Sequence, residues 1–516
     1  MKCSLAVIWP THEAIDGMQP GEAIRISDFG ADFAGLGLSL KVDVPAELCP
    51  ERELRFSFER LQDFRPEQLV RTTPYLANIA RASEYLAEAE QDGSAPGEIL
   101  NRLKSWPGLP LDLDGLSLEA GTKQSGEASS SAVDKILDMV AMPRETGRLQ
   151  GIEAVRAALD DHLGQVLSRV INDPVFRRLE SLWRSVHLVF RQSGRGVSLS
   201  CSILPVDEDG LEEALGSVVP EFVDDLPDLI LFDCPLTSSS ADLELFRLLA
   251  DLGHTLLVPC LCWVGPEFFN LRSWDELSRL PYLPHHLEEP WYAKWRRLVQ
   301  EEPCKWLGVT CNRFVLRGPL NSVGSRTPGV ADSSALWAGP SWAVAGLMVQ
   351  SQAEFGWATH FSDWRQVRLE GMETVPGPHG RALVTETVFS DERLHQLSAI
   401  RFMPVMGALN QDFVFAPVDA CLSGQPFSEQ IFASRISQEL IQCRESFQGS
   451  ADPSRVKAGL EEHFAAVFAG HGQARPDRFE IFAQETRSGC RTRIDITPAR
   501  TMLPTRRPYA MDLEWS

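Results

Sequence analysis

The residue types that most often carry chemistry are few in this chain and poorly spaced for it. Cys260-Leu261-Cys262 leaves one residue between two thiols, which on a strand puts both on the same face. Two further converging ligands would make this a metal site. Between Val258 and Trp263 the simpler expectation is a pair of small core residues. His285-His286 with Glu288-Glu289 is bracketed by Pro284 and Pro290, the pattern of a surface turn carrying solvated charge. His254 falls where a helical pattern gives way to a strand, with no nucleophile beside it in sequence. It reads as a helix-end residue rather than a general base. Gly35-Leu36-Gly37 lacks the third glycine and the following helix of a dinucleotide loop. Phosphate-loop, zinc-helix, nucleophile-elbow and C-x-x-C patterns are absent from the sequence. The expectation is a protein that is not an enzyme, with no catalytic, cofactor-binding or metal-binding residues.

Charge is more informative. From Asp207 to Asp228 there are nine acidic residues and no Lys or Arg. From Arg487 to Arg507 there are six arginines against one acid, Asp495. Two such runs are either solvated surfaces or complementary faces through which copies of the chain associate in register. The whole chain of 516 residues carries a formal charge of −22, which disfavours nucleic acid or an anionic membrane as principal partner. No apolar run is long enough to span a bilayer, and Met1–Pro10 is too short in its apolar part for a signal segment. Eleven cysteines, an odd and sparse set, suit reduced thiols and a cytoplasmic location.

The elements that must hold these residues fall into several regions. Residues 1–90 read as a small α+β unit, with alternating strands at 23–26, 38–44 and 53–58 and helices starting at Pro66 and Pro74. Residues 91–131 are small, polar and glycine-rich and read as a linker. Residues 132–425 mix helical patterns (132–140, 152–170, 243–252) with buried strands (198–204, 229–232, 255–262), the signature of an α/β core. Residues 426–516 offer helices at 429–444 and 455–468, then a hairpin of 479–484 with 491–496 about a Ser488-Gly489 turn.

Several stretches, in order, resemble the contractile sheath of the type VI secretion system. Residues 172–189 are similar to a segment of its large subunit, with Phe176, Leu179, Glu180, Trp183, Arg184 and His187 in place. On a helix, Phe176, Leu179, Trp183 and Val186 make one apolar face, and Glu180 and Arg184 stand four apart. The large-subunit resemblance continues through Asn312-Arg313-Phe314-Val315-Leu316-Arg317, through Trp337 and Trp357, and through Thr385-Glu386-Thr387 and Arg401–Val405. Arg313 and Arg317 flank an apolar strand and read as members of a buried ion-paired network rather than as an anion site. Near the start, Leu54–Phe56 with Asp63-Phe64-Arg65-Pro66 resembles the small sheath subunit. In place of the family's glycine-rich segment stands Asp228–Pro235.

The resemblance implies a mixed α/β and α+β fold, with a contractile-tail-sheath-like core and strand-exchanging chain ends. It looks like a small-subunit-like region fused to a large-subunit-like core. It implies a structural protomer that polymerises around an inner tube and contracts to propel it, in the bacterial cytoplasm. Implied partners are copies of itself, with or without a separate small subunit, the inner tube protein, a baseplate and a recycling ATP-dependent unfoldase. The altered 228–235 segment leaves open a non-polymerising cap or adaptor of the same machine. Expected assembly residues are Leu5, Val7 and Trp9 on a strand at the start of the chain, Ile481 in the hairpin, and Arg487, Arg491 and Arg493.

Overall fold

The computed structural model describes residues 2–11, 15–106, 108–110, 152–194, 196–217, 222, 225–320, 330–332, 334–377, 380–447, 452–470, 474–486 and 489–515. The helix expected at 132–140, the linker beyond residue 110 and Arg487 lie outside the described residues.

In chain order the strands are β1 (Lys2–Thr11), β2 (Ile24–Ile26), β3 (Leu38–Asp43), β4 (Glu53–Phe58), β5 (Ser198–Asp207) and β6 (Leu229–Leu236). Then come β7 (Cys260–Val264), β8 (Leu307–Cys311), β9 (Phe314–Arg317), β10 (Leu336–Ala338), β11 (Val375–Pro376) and β12 (Ala382–Leu383). The last are β13 (Phe402–Pro404), β14 (Met406–Gly407), β15 (Val414–Phe415), β16 (Arg478–Thr486), β17 (Gly489–Thr497) and β18 (Tyr509–Trp515).

The chain divides into one unit of residues 1–36, 181–318 and 335–516 and another of 37–180 and 319–334. This corrects the expected domains. Residues 1–36 cluster with the large core rather than with 37–90, and 426–516 is not set apart from that core. The physical reason lies in β1. Leu5-Ala6-Val7-Ile8-Trp9 is apolar on both faces, and a strand apolar on both faces belongs inside a parallel sheet with layers above and below.

The larger unit is built on a seven-stranded sheet of order β13-β8-β7-β6-β1-β5-β2. All neighbours in it are parallel except β2, which runs antiparallel to β5. Parallel neighbours need a crossover, and helix Ser240–Leu256 supplies the one from β6 to β7. Ser239 caps its start by accepting from the Asp242 N–H, and Leu257 ends it in the left-handed conformation at φ 56°. Leu245, Phe246, Leu249, Leu252 and Leu256 of this helix share a core with Ala6, Ile8, Ile230, Phe232, Cys260 and Cys262. Edge-on aromatic contacts knit that core, with Phe268 5.0 Å from Trp295 and 5.3 Å from Phe402. Helix Pro340–Phe355, buried almost all round, packs on β6, β7 and β8.

A second core in the same unit joins helices Phe427–Phe447 and Pro453–Gly470 to the sheet β16-β17-β18. The expected hairpin is present as β16 and β17, with Ile481 opposite Ile494. The third strand, β18, pairs along β17 from Tyr509↔Ile496 to Trp515↔Cys490. An isolated hairpin is marginal in water, and this third strand together with the helices removes that difficulty.

The smaller unit pairs the β3–β4 hairpin with helices Pro66–Thr72, Pro74–Gln91, Pro96–Lys104 and Ile152–Ile171. Helix Pro96–Lys104 corrects part of the expected linker. Pro96 is pre-shaped for a first helical turn, Ile99 and Leu103 stand four apart on one buried face, and the Trp106 indole donates to Asn78 Oδ1 at 2.7 Å.

Candidate assembly interface

The residues that carry the resemblance can be placed one by one in the structure. Asp63 accepts from the N–H groups of Glu59 and Arg60, both at 2.8 Å, and so caps the turn Leu61–Phe64. Phe64 stacks on Phe58 at 4.2 Å and meets Phe176 edge-on at 5.6 Å. Pro66 opens the next helix. Asp173 caps helix Pro174–Arg191 by accepting from Val175 and Phe176 N–H at 3.0 and 3.1 Å. Leu179 and Glu180 of that helix are fully buried.

Further along the same helix, in the larger unit, Trp183 is fully buried with its ring 4.8 Å from Phe33. Its Nε1 has no acceptor among the described residues. His187 lies 4.9 Å from the Phe29 ring. Burial, then the Arg191 and Arg184 charges, push its pKa down, so it favours the neutral form. Arg184 itself is half-buried.

Around β9, Arg313 is ion-paired with its side chain 41% exposed, whereas Arg317 donates to the Gly318 carbonyl at 3.2 Å. Arg313 Nη2 lies 2.6 Å from Glu386 Oε1, and the Arg313 N–H donates to Glu386 Oε2 at 3.1 Å. Asn312, in the left-handed conformation at φ 75°, uses its whole amide. Its Nδ2 donates to the Thr387 and Val405 carbonyls at 3.0 and 2.7 Å, and its Oδ1 accepts from Thr387 N–H at 3.2 Å. Phe314 is buried and Arg317 is 6% exposed. Trp337 pairs with Val315 across β9–β10, and Trp357 is buried 5.3 Å from Phe432.

The candidate interface residues fare differently. Leu5, Val7 and Trp9 are buried at the middle of the seven-stranded sheet, paired on one side with β5 and on the other with β6. They cannot serve a neighbour without dismantling their own core, which corrects their placement as interface residues. Ile481 is buried against the C-terminal helices, while its neighbour Phe482 is 53% exposed. Arg491 and Arg493 stand on the outer face of that sheet, paired within it to Asp512 at 3.8 Å and Asp495 at 3.0 Å. His286 also departs from expectation. It is buried, with Nδ1 3.0 Å from Glu289 Oε1, rather than part of a solvated turn. Cys260 and Cys262 are core residues whose thiols burial holds well above their usual pKa.

The fold and the surroundings of β6 to β13 can be set beside known proteins. Residues 228–419 match the family described as EvpB/VC_A0108, tail sheath N-terminal domain. Over that stretch the chain is similar to a tail-sheath domain. The type VI secretion system sheath protein TssC1 of Pseudomonas aeruginosa is 24% identical over 298 residues, covering 51% of this chain. The chain spans 60% of the length of that curated relative. Among solved structures, the sheath complex of an extracellular contractile injection system in its contracted state is 10% identical. It covers 64% of this chain and 76% of its own, with a TM-score of 0.37. A sheath tail protein from Desulfitobacterium hafniense is 9% identical and covers 60% of each chain, with a TM-score of 0.33.

The matched stretch begins and ends on half-buried carboxylates that fasten it to flanking segments. Asp228 accepts from the Ser4 N–H of β1 at 2.7 Å and lies 3.4 Å from Arg435 of helix Phe427–Phe447. Burial raises its pKa, and Arg435 pulls it back. Asp419 accepts from the Ser428 N–H at 2.9 Å and from the Ser428 hydroxyl at 2.5 Å. Burial pushes this carboxyl up to about 6. Residues 229–235 of the Asp228–Pro235 segment lie in β6, an interior strand of the sheet. Sequence reasoning missed β18, although Tyr509, Met511, Leu513 and Trp515 alternate with exposed Ala510, Asp512 and Glu514. That alternation was the signal that could have found it.

Proposed function

We propose that this chain is a structural protomer of a contractile sheath of the type VI secretion kind. The observation that carries this reading is the match of residues 228–419 to a tail-sheath domain, a stretch fastened at both borders into one core. Beside it stands a sheet whose outer strands, β16 and β18, each have one edge unpaired among the described residues. Unpaired edges are templates for a further strand, and exposed Phe482 on β16 adds an apolar anchor there. A strand from a neighbouring copy, or from a separate small subunit, would give a directional backbone ladder. Such a ladder can tether two rigid cores while they rotate past one another. The inner tube, a baseplate and a recycling unfoldase are the partners this role requires.

The test is sedimentation of the full chain beside Phe482→Glu at equal concentration, with thermal unfolding of both. An exposed substitution should leave the melting temperature within about 2 °C while cutting the pelleted fraction severalfold. Equal pelleting of the two proteins removes β16 from assembly.

A further inference from the structure

We propose that a cleft beside β18 receives the acidic segment 207–213 of a second copy of this chain. The proposal deepens the polymer reading above and rests on it. The cleft, about 450 Å³, lies between the Glu302–Trp306 turn, the start of helix Phe427–Phe447 and residues 503–511. Its walls include Lys305, Trp306, Phe432, Arg507, Tyr509 and Met511. Trp306 is 4% exposed, and its indole N–H has no acceptor among the described residues. Lys305 gives one bond to Glu302 at 2.9 Å and Arg507 one to Glu429 at 3.1 Å. An ammonium has three donors and a guanidinium five, so each cation keeps donors for a further partner. Two cations, Lys305 and Arg507, and one acid, Glu429, are among the lining residues, on a chain of formal charge −22.

The occupant that fits is already on the chain. Asp207, Asp209, Glu212 and Glu213 are exposed, within a run that has no Lys or Arg from 207 to 228. Position decides between contact within one copy and contact between two. The cleft adjoins the amino-terminal ends of β7 and β8, because Leu257 precedes Cys260 and Trp306 immediately precedes Leu307. The acidic segment leaves the carboxyl-terminal end of β5. These strands belong to one parallel run, so cleft and segment sit at opposite ends of the sheet. A strand as long as β5 spans roughly 33 Å, too far for the two to meet in one molecule. Between copies they meet head to tail. A heterologous contact of that kind does not close on itself and extends into a helical polymer.

The experiment uses three full-length proteins: wild type, a cleft variant (Lys305→Glu with Arg507→Glu) and a run variant (Glu212→Lys with Glu213→Lys). Each is sedimented alone, the two variants are sedimented as an equimolar mixture, and thermal unfolding of each is recorded. The expected result is loss of at least about tenfold of the pelleted fraction for each variant alone, with recovery in the mixture, since each opposed pair is then again complementary. If charge reversal lowers the melting temperature, Lys305→Gln with Arg507→Gln takes the place of the cleft variant, with a partial loss expected. Variants that pellet like wild type, or folded variants that fail alone and stay soluble when mixed, overturn the contact. Wild type that does not pellet under any condition overturns the polymer reading itself, a result distinct from the other two.

Discussion

Replacing Trp183 with alanine tests whether the most recognisable motif of this chain is core or interface. The ring is fully buried, edge-on to Phe33 at 4.8 Å and 6.5 Å from Phe29. A tryptophan buries ~150–250 Å², and ~25 cal/mol per Å² then gives about 4–6 kcal/mol for its transfer from water. Partial collapse of the cavity brings the expected cost of Trp183→Ala to about 3–5 kcal/mol. The indole N–H makes no hydrogen bond among the described residues, so Trp183→Phe removes a desolvated donor along with some volume. Its cost should be much smaller, about 1–2 kcal/mol. The assay is urea unfolding of both variants, followed by far-UV circular dichroism because the mutated residue is itself a fluorophore. Equal losses for the two variants would show that the indole N–H has a partner. An unchanged midpoint for Trp183→Ala, with assembly lost, would move this residue from core to interface.

Three further outcomes are expected. Val7→Asp places a charge between β5 and β6 where both sheet faces are covered, and should destabilise by more than ~4 kcal/mol, leaving little folded protein on gel filtration. Asp419 is pushed to about 6 in the folded chain, against ~3.9 when unfolded. Its raised pKa contributes stability that is full below pH ~4 and is lost as pH rises towards 6, about 3 kcal/mol in all, so Asp419→Asn should flatten urea midpoints measured from pH 4 to 7. Gly253→Ala would bring a Cβ to 2.8 Å from the Val258 carbonyl oxygen and 3.0 Å from Trp306 Cβ, so calorimetry should show a loss of about 1–3 kcal/mol in spite of alanine's better helix propensity.

Local patterns were the legible part of the sequence. Asp63, Phe64 and Pro66 act within a few residues of one another, as cap, core and first helical turn. The β16–β17 hairpin and the apolar face of helix Pro174–Arg191 follow equally from near-neighbour periodicity. The place of β1 was not legible in that way, because its partners are remote: Leu5 pairs with Cys201 and Leu229. An apolar strand looks the same in sequence whether its own chain or a neighbour covers it. Helix Pro96–Lys104 was hidden by its Gly, Ser and Pro surroundings, although Ile99 and Leu103 carry helical spacing. The cleft at Trp306 joins residues as far apart as Leu257 and Met511, beyond the reach of any spacing rule.

The central claim is that this chain polymerises as a sheath. Negative-stain electron microscopy of the purified full-length protein, alone and with a candidate small subunit, tests it most directly. The expected result is hollow tubes or stacked rings of regular helical repeat. A monodisperse monomer under every condition, with the small subunit present or absent, would contradict it.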